Sequence, residues 1–423
     1  MNKELRNRAS SAGLPLMDFI LKRISALELQ TGVKRTIFAA CPNSLSVIKS
    51  ALKSAKRCNA PIKFAATLNQ VDLDGGYTGL TPFEFVRTIR LQAQNLNVTS
   101  PVIIAIDHGG PWLKDVHKMG KWTYSKTMSA VKESFEAVIE AGYDLIHVDP
   151  TIDISLPRGE KISIDLVAER TVELIEHSEK FRIKNNYPRI SYEVGTEEVH
   201  GGLADLRVFK RFLELLKQGL RQKKLENVWP CFVVGKVGTD LHTSTFDSAI
   251  ANQLTQVAKS YGCLIKGHYS DNVTNPEAYP ESGMGAANIG PEFTEMEYNA
   301  LIELEKIQQK LFEDGKVAKP VRMKKMLWDS VIKSGRWQKW IQTDENPNDF
   351  YANSIERQEW LIKTGCRYIW EVPEVVSTRA RLMQNINLLG INAEAIIESS
   401  IESAMDRYFY KFNLVGLNNL LLQ

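Results

Sequence analysis

An aspartate and a histidine stand side by side in AIDHGGPW (105–112), behind an apolar run and ahead of two glycines and a proline. The imidazole can bind a divalent cation through one nitrogen, while the carboxylate exchanges a proton with a substrate hydroxyl. We therefore predict Asp107 to be a catalytic acid–base group and His108 to be a metal ligand. The alternative is a carboxylate that caps a turn beside a hydrogen-bonded histidine.

Two further residues could complete a metal site with His108. Glu193 ends the apolar run RISYE, and His268 directly follows the run CLIKG. Two histidines and one carboxylate can bind Zn²⁺, or alternatively Mn²⁺ or Co²⁺, and leave coordination positions open for substrate oxygens. We therefore predict a divalent metal, with zinc as the first choice, on His108, Glu193 and His268. Glu193 is also a candidate catalytic carboxylate, and a hydrogen-bonded core histidine is the alternative for His268.

A second carboxylate–imidazole pair stands at the end of DLIHV (144–148), where Asp149 follows His147 by two residues. Because strand residues alternate in direction, the two side chains can point the same way. Asp149 is therefore predicted to be a catalytic carboxylate, and His147 a further metal ligand or the partner of one. The remaining histidines and two acids of a glycine-flanked loop are predicted to be solvated; they are His117, His177, His242, Glu197, Glu198 and His200.

Polar residues and glycines in several loops could bind a sugar phosphate. In TLNQVDLDGGYTGLTP (67–82), amide side chains can hydrogen-bond sugar hydroxyls and the glycines allow close backbone approach, although a purely structural turn is the alternative. In NIGPEF (288–293), a helix N-terminus could bind phosphate, but nearby glutamates would repel it. The predicted substrate-binding residues are Asn69, Gln70, Gly76, Tyr77, Ser270, Asp271, Asn288 and Gly290.

These residues must be positioned by a repeated strand–helix unit. A short apolar stretch followed by a polar cluster and a helix-period segment occurs eight times in the first three hundred residues; the stretches are 35–40, 62–68, 101–106, 144–148, 189–193, 231–235, 263–267 and 286–290. Eight such units predict an α/β fold, a closed (β/α)8 TIM barrel, whose active site lies at the C-terminal ends of the strands. The candidate residues stand at those ends.

The chain is longer than a barrel requires. A TIM barrel takes about 250 residues, whereas this chain has 423. We predict a barrel with an N-terminal helix over 1–315 and a helical C-terminal subdomain over 316–423. The first fourteen residues are polar and are expected to lie outside the barrel or to form a loose arm, with a helix over 15–30 against the barrel.

Composition argues against several classes of partner. The formal net charge is only +3, so a nucleic-acid partner is not expected, and the basic stretches 205–226 and 316–340 are read as solvated helix faces with tryptophans packed inward. No apolar run approaches the length of a membrane span or a secretory signal, so neither a membrane nor export is expected. Five cysteines without CxxC spacing agree with a cytoplasmic protein.

Five motifs occur in one order with barrel spacing: NQVDLDGGYTGLTP, DHGGP, IHVDPT, EVGTEE and GHYSD. Together with YANSIERQEWLIKTGCRYIW near the C-terminus, they resemble the GatZ/KbaZ-like family, the accessory subunits of class II tagatose-bisphosphate aldolases. The resemblance implies a TIM barrel and a class II aldolase subunit as partner. Members of the family have been labelled accessory subunits, tagatose-phosphate kinases and sugar-phosphate 4-epimerases.

The resemblance also suggests roles for single residues. Class II aldolases carry a similar Asp-His pair, with the histidine on zinc and the aspartate protonating the substrate, which Asp107 and His108 match. Glu193 resembles their acidic position, and His268 matches a later zinc histidine. This chain departs from the aldolases at the end of strand six, where Gly235-Lys236 stands in place of another zinc histidine, and from its own family at Gly109 and Tyr269.

Three functions remain open from the sequence. The first is metal-assisted aldol-type chemistry on a ketose phosphate such as tagatose or fructose phosphate, giving either C3–C4 cleavage or 4-epimerisation. The second is a non-catalytic subunit that stabilises and activates a class II tagatose-bisphosphate aldolase. The third is Schiff-base chemistry on Lys236 or Lys266. A kinase is disfavoured because no nucleotide-phosphate loop is present, and a homo-oligomer is expected.

Overall fold

The computed structural model describes residues 3–157, 160–195, 205–240 and 242–423. Within these residues, eight strands form a closed barrel in chain order, and each strand is parallel to both neighbours. The strands are β1 (Ile37–Ala40), β2 (Ile62–Thr67), β3 (Val102–Gly109), β4 (Leu145–Val148), β5 (Ser191–Val194), β6 (Phe232–Val234), β7 (Leu264–Gly267) and β8 (Ala286–Ile289). The predicted TIM barrel is confirmed.

The strands read as continuous apolar runs because helices cover one side of the sheet and the barrel interior lies on the other. Nearly all strand residues are buried. Among the exceptions to the apolar pattern, four ionisable side chains have no exposed surface, namely Lys63, His147, Glu193 and Lys266. Charged groups at such positions need partners of opposite charge, so the barrel interior contains an organised polar cluster.

Helices follow the strands and form the outer layer. Several begin at residues that cap the helix. In the capping box of the helix Pro82–Asn95, the side chain of Thr81 accepts from the backbone N–H of Glu84, and the side chain of Glu84 accepts from the backbone N–H of Thr81. The outer helices are α3 (Leu45–Arg57), α4 (Pro82–Asn95), α5 (Asp115–Met119), α6 (Tyr124–Ala141), α7 (Ile164–Lys184), α8 (Leu206–Gln222), α9 (Ser248–Ser260), α10 (Ala278–Glu281) and α11 (Pro291–Glu313).

Two N-terminal helices, α1 (Lys3–Ser11) and α2 (Leu16–Thr31), precede the barrel. The described part of the first fourteen residues lies outside the barrel, as one of the two alternatives predicted, but it is not a loose arm, because α1 buries Leu5 completely and pairs Arg6 with the barrel. The Nη1 atom of Arg6 lies 2.6 Å from Oδ1 of Asp144, directly before β4. Both helices therefore pack at the N-terminal ends of the strands, opposite the candidate site.

The chain after α11 is helical. It contains α12 (Met323–Ser334), α13 (Ile355–Gly365), α14 (Pro373–Asn387), α15 (Ala393–Lys411), α16 (Leu417–Leu422) and short 3-10 helices at Arg336–Trp340, Phe350–Ala352 and Cys366–Tyr368. Helix α15 packs on the barrel, since the ring of Phe409 meets that of Phe38 in β1 edge-on at 5.1 Å. A domain boundary at residue 315 stays a prediction. Among the described helices, none combines the length and the apolar character of a membrane span.

Candidate active site

Asp107 is the centre of a buried charge cluster at the C-terminal end of β3. Its Oδ1 atom lies 3.2 Å from Nζ of Lys266 and 3.4 Å from Nε2 of His268, and its Oδ2 atom accepts a hydrogen bond of 2.9 Å from the amide of Asn288. Burial disfavours the ionised carboxylate, yet charge interactions, first with Lys266 and then with His268 and His108, hold the pKa of Asp107 well below its usual range. Asp107 is therefore ionised although it is buried.

Glu193 is held from two sides by lysines. Its Oε2 atom accepts from Nζ of Lys63 at 3.0 Å, its Oε1 atom accepts from Nζ of Lys266 at 2.5 Å, and all three side chains are fully buried. Burial opposes ionisation of Glu193, but Lys266 and Lys63 hold its pKa well below the usual range. Burial lowers the pKa of Lys63, while Asp107 and Glu193 outweigh burial and raise that of Lys266.

His108 lies beside this cluster in an unusual backbone conformation. Its φ is +49°, and the pairing of β3 with β4 shifts register between Ile106 and Gly109. Such a bulge redirects side chains that would otherwise alternate across the sheet, so Asp107 and His108 both reach the barrel mouth. The Nδ1 atom of His108 lies 2.5 Å from Oδ2 of Asp149.

Asp149 orients the imidazole of His108. Burial opposes its ionisation, but its hydrogen bond and charge interaction with His108 lower the pKa of Asp149 to about 2. A carboxylate on Nδ1 fixes the ring and leaves Nε2 for another partner, which is how histidine ligands of metals are commonly held. The ring of His108 lies 4.4 Å from that of His268, centroid to centroid.

His147 is fully buried beside the carboxylates of Asp107 and Glu193. Its Nδ1 atom accepts a hydrogen bond of 3.0 Å from the backbone N–H of His108 and lies 3.2 Å from Oε1 of Glu193. Burial lowers the pKa of His147, which favours the neutral ring. Its Nε2 atom is buried without a hydrogen-bond partner in the described part of the chain.

The donor set fits a divalent cation. Within the described residues, two groups have ligand atoms that all lie within 4.8 Å of one another: Asp107, His147, Glu193 and His268, and separately His108, His147 and Asp149. The Nε2 atom of His268 is buried without a hydrogen-bond partner there, as a nitrogen available to a cation would be. Of the predicted ligands, Glu193 and His268 belong to the first group with His147 and Asp107, whereas His108 belongs to the second. A metal held jointly by His108, Glu193 and His268 stays a prediction.

The loop after β2 uses its polar side chains within the fold. Asn69 donates to the carbonyl of Leu113 at 3.1 Å and accepts from the backbone of Asp115, and Gln70 donates to the carbonyl of Pro42 at 2.7 Å. A Cβ atom on Gly76 would lie 2.4 Å from the carbonyl oxygen of Gln70, so only glycine fits there. Sugar binding by Asn69, Gln70 and Gly76 stays a prediction, and it would require the two amides to exchange partners.

The helix start after β8 is already capped. The Oδ1 atom of Asp271 accepts hydrogen bonds of 2.9 Å from the backbone N–H groups of both Gly290 and Glu292. A phosphate bound at this helix N-terminus would have to displace that oxygen. Ser270 is fully buried nearby, and Asn288 is the donor to Asp107 already described.

Three histidines predicted to be solvated lie in different settings. His117 is only 3% exposed, so its surface placement is wrong; the five-residue helix α5 turns it inward, and its ring stacks on Trp122 at 4.7 Å. His177 is half-buried with Nε2 at 2.8 Å from Glu136, and His242 is exposed. Glu197, Glu198 and His200 lie outside the described residues.

Comparison with known proteins identifies the family. The model of the family described as D-tagatose-1,6-bisphosphate aldolase subunit GatZ/KbaZ-like matches residues 21–408. The chain belongs to this GatZ/KbaZ-like family. Membership gives the protein an aldolase-related place in carbohydrate metabolism.

Solved structures agree with the barrel. A probable tagatose 6 phosphate kinase from Sinorhizobium meliloti 1021 is 20% identical, with a TM-score of 0.73 over 89% of this chain and 100% of the other. A fructose-bisphosphate aldolase from Campylobacter jejuni is 12% identical, with a TM-score of 0.54 over 94% of each chain. At these identities the likeness concerns the fold.

The observed site of this GatZ/KbaZ-like chain contains two lysines, Lys63 and Lys266, that are absent from the site predicted by its sequence. The sequence motifs do not indicate Lys63, and they suggest Lys266 only as a Schiff-base amine. The available signal was a lysine inside each of two apolar strands, IKFAAT and LIKG. Lysines are almost never fully buried unless they are paired. A lysine inside an apolar strand therefore indicates a buried acidic partner.

Proposed function

We propose that this protein catalyses aldol-type chemistry on a ketose phosphate such as tagatose or fructose phosphate, making or breaking the C3–C4 bond. The observation that carries the proposal is the buried, ionised carboxylate of Asp107, with Lys266, His268 and Asn288 around its two oxygens. A carboxylate held ionised at the mouth of a barrel can accept a proton from a bound hydroxyl. Family membership supports the substrate class.

The reaction assigns one step to Asp107. Its carboxylate takes the proton of the C4 hydroxyl, the C4–O bond becomes a carbonyl, and the electron pair of the C3–C4 bond passes to C3 as an enediolate. The ammonium of Lys266 is placed to stabilise negative charge that develops nearby. If the aldehyde leaves, the enzyme is a lyase; if it rotates and adds again through its other face, the same residues give a 4-epimerase.

A divalent cation suits this chemistry. His268 and Glu193, with His147 or His108 as further ligand, would hold the cation, and Zn²⁺ is favoured by the nitrogen-containing donor set. When bound, it would supply positive charge for the C2 carbonyl and C3 hydroxyl oxygens. Asp149 would keep the ring of His108 oriented through its 2.5 Å contact with Nδ1.

The experiment is turnover by the purified single chain. Tagatose and fructose phosphates would be incubated with the protein and followed by NMR, which distinguishes a C4 epimer from triose products. We expect conversion that a chelator stops and that Zn²⁺, Mn²⁺ or Co²⁺ restores. Turnover that ignores the chelator would contradict the metal-assisted reaction and favour a Schiff base, which borohydride would trap on Lys236.

Lys266 is a poor candidate for such a Schiff base. The nucleophile of that reaction is the neutral amine, whereas Asp107 and Glu193 raise the pKa of Lys266 despite its burial. Lys236, at the end of the sixth apolar run, keeps the role of the alternative that the trapping experiment tests.

A non-catalytic role is the second candidate. The ammonium of Lys266 lies between the carboxylates of Asp107 and Glu193, and Lys63 contacts Glu193 from its other side, so two lysines balance the two acids without a metal. Such a neutralised site would suit a subunit that stabilises and activates a class II tagatose-bisphosphate aldolase. In that case the single chain is inert with or without metal, and its addition raises the activity or thermal stability of the aldolase, since a partner that binds only the folded state stabilises it.

A further inference from the structure

Part of the C-terminal region reaches the mouth of the barrel. The ring of Tyr368 meets that of Tyr77, in the loop after β2, edge-on at 5.0 Å. The Nη2 atom of Arg336 lies 2.5 Å from Oδ2 of Asp115, which begins α5 in the connection after β3. Both loops leave the C-terminal ends of their strands. The 3-10 helices Arg336–Trp340 and Cys366–Tyr368 therefore border the same opening as Asp107.

Two guanidinium groups flank Tyr368 at this border. The Cζ atom of Arg336 lies 4.3 Å from the centroid of the Tyr368 ring, and that of Arg367 lies 5.3 Å from it and 4.6 Å from the ring of Trp340. Stacking on aromatic rings fixes both guanidinium planes. Arg336 also pairs with Asp115, which it shares with Lys339, and Nε of Arg367 donates to the carbonyl of Thr364 at 3.1 Å.

Each arginine keeps a buried donor unused. Arg336 Nε and Arg367 Nη2 are inaccessible to solvent and lack a hydrogen-bond partner among the residues that the structure describes. A buried donor without a partner destabilises the folded protein, and more so when it is charged. Arginines with unused donors are well suited to an anion, because the guanidinium fork matches phosphate oxygens in geometry and charge.

Arg367 directly precedes Tyr368, whose ring contacts that of Tyr77 at the border of the mouth. Because Nε of Arg367 is used by the carbonyl of Thr364, its Nη2 atom is the buried donor left without a partner in the described part of the chain. An anion on Arg367 would therefore lie beside the loop after β2.

The alternative anion position in the barrel is taken. Asp271 caps the N-terminus of α11 through the N–H groups of Gly290 and Glu292. Glu292 itself contacts Arg407 at 3.1 Å, so that cation is also engaged. A phosphate would therefore meet capped donors and carboxylates after β8. Beside Tyr368 it would meet the unpartnered Nη2 of Arg367 and Nε of Arg336, where the single carboxylate of Asp115 is shared by Arg336 and Lys339.

We propose that Arg367, assisted by Arg336, binds the phosphate group of the substrate across the barrel mouth from the site of bond cleavage. This inference rests on the proposed function for the identity of the substrate. It assigns to the C-terminal region the selection of phosphorylated over free sugars. The arginines position the substrate and take no part in proton transfer.

The test is calorimetric binding to the full chain, measured without turnover. Inorganic phosphate, a ketohexose phosphate, the free ketohexose and a hexuronate would be titrated into wild type, Arg367→Gln, Arg336→Gln and Arg367→Lys. We expect Arg367→Gln to weaken phosphate and ketohexose-phosphate binding by about 10- to 100-fold, since charged hydrogen bonds are lost. Arg336→Gln should have a smaller effect, Arg367→Lys should retain part of the affinity, and binding of the free sugar should not change.

Arg357→Gln is the matched control. Arg357 also stacks on a tryptophan in the C-terminal region, with Cζ at 4.1 Å from the ring of Trp360, but it pairs with Glu345. Its loss should leave phosphate binding unchanged, whatever it costs in stability. Thermal melting of each variant shows that the comparison is made on folded protein, and Arg367→Lys keeps the test valid if Arg367→Gln folds poorly.

The outcomes separate this inference from the proposed function. Arg367-dependent phosphate binding by a chain that turns nothing over supports the phosphate site and contradicts the catalytic proposal. Turnover of a ketose phosphate with equal affinity in wild type and Arg367→Gln contradicts the phosphate site alone. Tighter binding of the hexuronate than of the ketohexose phosphate would overturn the assignment to phosphate.

Discussion

Asp107 shows how single residues of this site depend on their neighbours. An isolated buried carboxylate would be protonated, whereas Lys266, His268 and Asn288 keep this one ionised. The sequence alone indicated its position at the C-terminal end of a strand. The lysine that holds it lies 159 residues further along the chain, and no local pattern indicates that distance, so the residue could be predicted while its environment could not.

Asp107→Asn tests the proton acceptor. The amide keeps the size of the side chain but cannot take the C4 proton, so kcat should fall by about 10²–10⁴-fold. The measurement is turnover of a ketose phosphate followed by NMR. Because Asp107 also belongs to the candidate metal ligands, metal content is determined on the same samples.

Asp144→Asn is the control for that substitution. Asp144 is also a buried aspartate in an ion pair, with Arg6, but it lies at the opposite end of the barrel. This variant should lose stability and retain kcat. Equal losses of activity in both variants would assign the effect of Asp107→Asn to folding.

His117 provides a test of burial through pH. Burial, with Lys114 nearby, lowers the pKa of His117 from 6.5 to about 4. Since the folded pKa is depressed, the unfolded chain takes up the proton first, and stability falls as the pH drops from about 6.5 to about 4. A difference of two to three pKa units corresponds to about 3 kcal/mol.

The measurement is urea unfolding of wild type and His117→Asn between pH 7 and pH 4. The variant is expected to be less stable at pH 7 because it loses the stacking on Trp122, but its stability should decline less with acid by about 3 kcal/mol. Parallel pH curves for the two proteins would show that His117 stays accessible to protons in the folded state.

At the scale of elements, the C-terminal helix α15 packs directly on the barrel. Lys53 and Arg57 of α3 pair with Glu398, Glu402 and Asp406 of α15, and Phe409 is fully buried against Phe38 of β1. The amphipathic pattern of α15 could be read from the sequence. The elements against which α15 packs could not be predicted, because an apolar stripe shows that one face of a helix is buried but does not identify its partner.

Phe409→Ala tests this packing. Removal of a fully buried aromatic ring should lower the free energy of unfolding by about 3–5 kcal/mol, and a single cooperative transition should persist if α15 and the barrel unfold together. Tyr410→Ala, on the same helix with 63% of the residue exposed, is the control and should change stability by about 0.5 kcal/mol or less. Separate transitions for the barrel and the C-terminal region would instead support two independent domains.

The strands illustrate what an apolar pattern can predict. All eight were located from short apolar runs, because a strand covered by helices and barrel interior must be apolar nearly throughout. The bulge near His108 and the inward turn of His117 were not predicted, since both depend on pairing and packing between distant segments. Arg336 and Arg367 were missed for the same reason, as basic residues in helical segments are usually solvated.

At the scale of the whole molecule, a closed barrel brings together residues of β2, β3, β4, β5, β7 and β8 that are dispersed along the sequence from Lys63 to Asn288. The GatZ/KbaZ-like family accounts for the barrel and for an aldolase-related role. Whether the polar cluster is a working metal site or a neutralised one distinguishes an enzyme from an accessory subunit. The homo-oligomer and the aldolase partner stay predictions.

The most direct measurement is turnover of a ketose phosphate by the single purified chain before chelation, after chelation, and after the return of Zn²⁺, with Asp107→Asn measured in parallel. We expect activity that is lost with the metal and recovered with it, and that is about 10²–10⁴-fold lower in Asp107→Asn than in the metal-loaded wild type. An inert wild-type chain that nevertheless raises the activity of a class II aldolase would contradict the catalytic account and establish the accessory role.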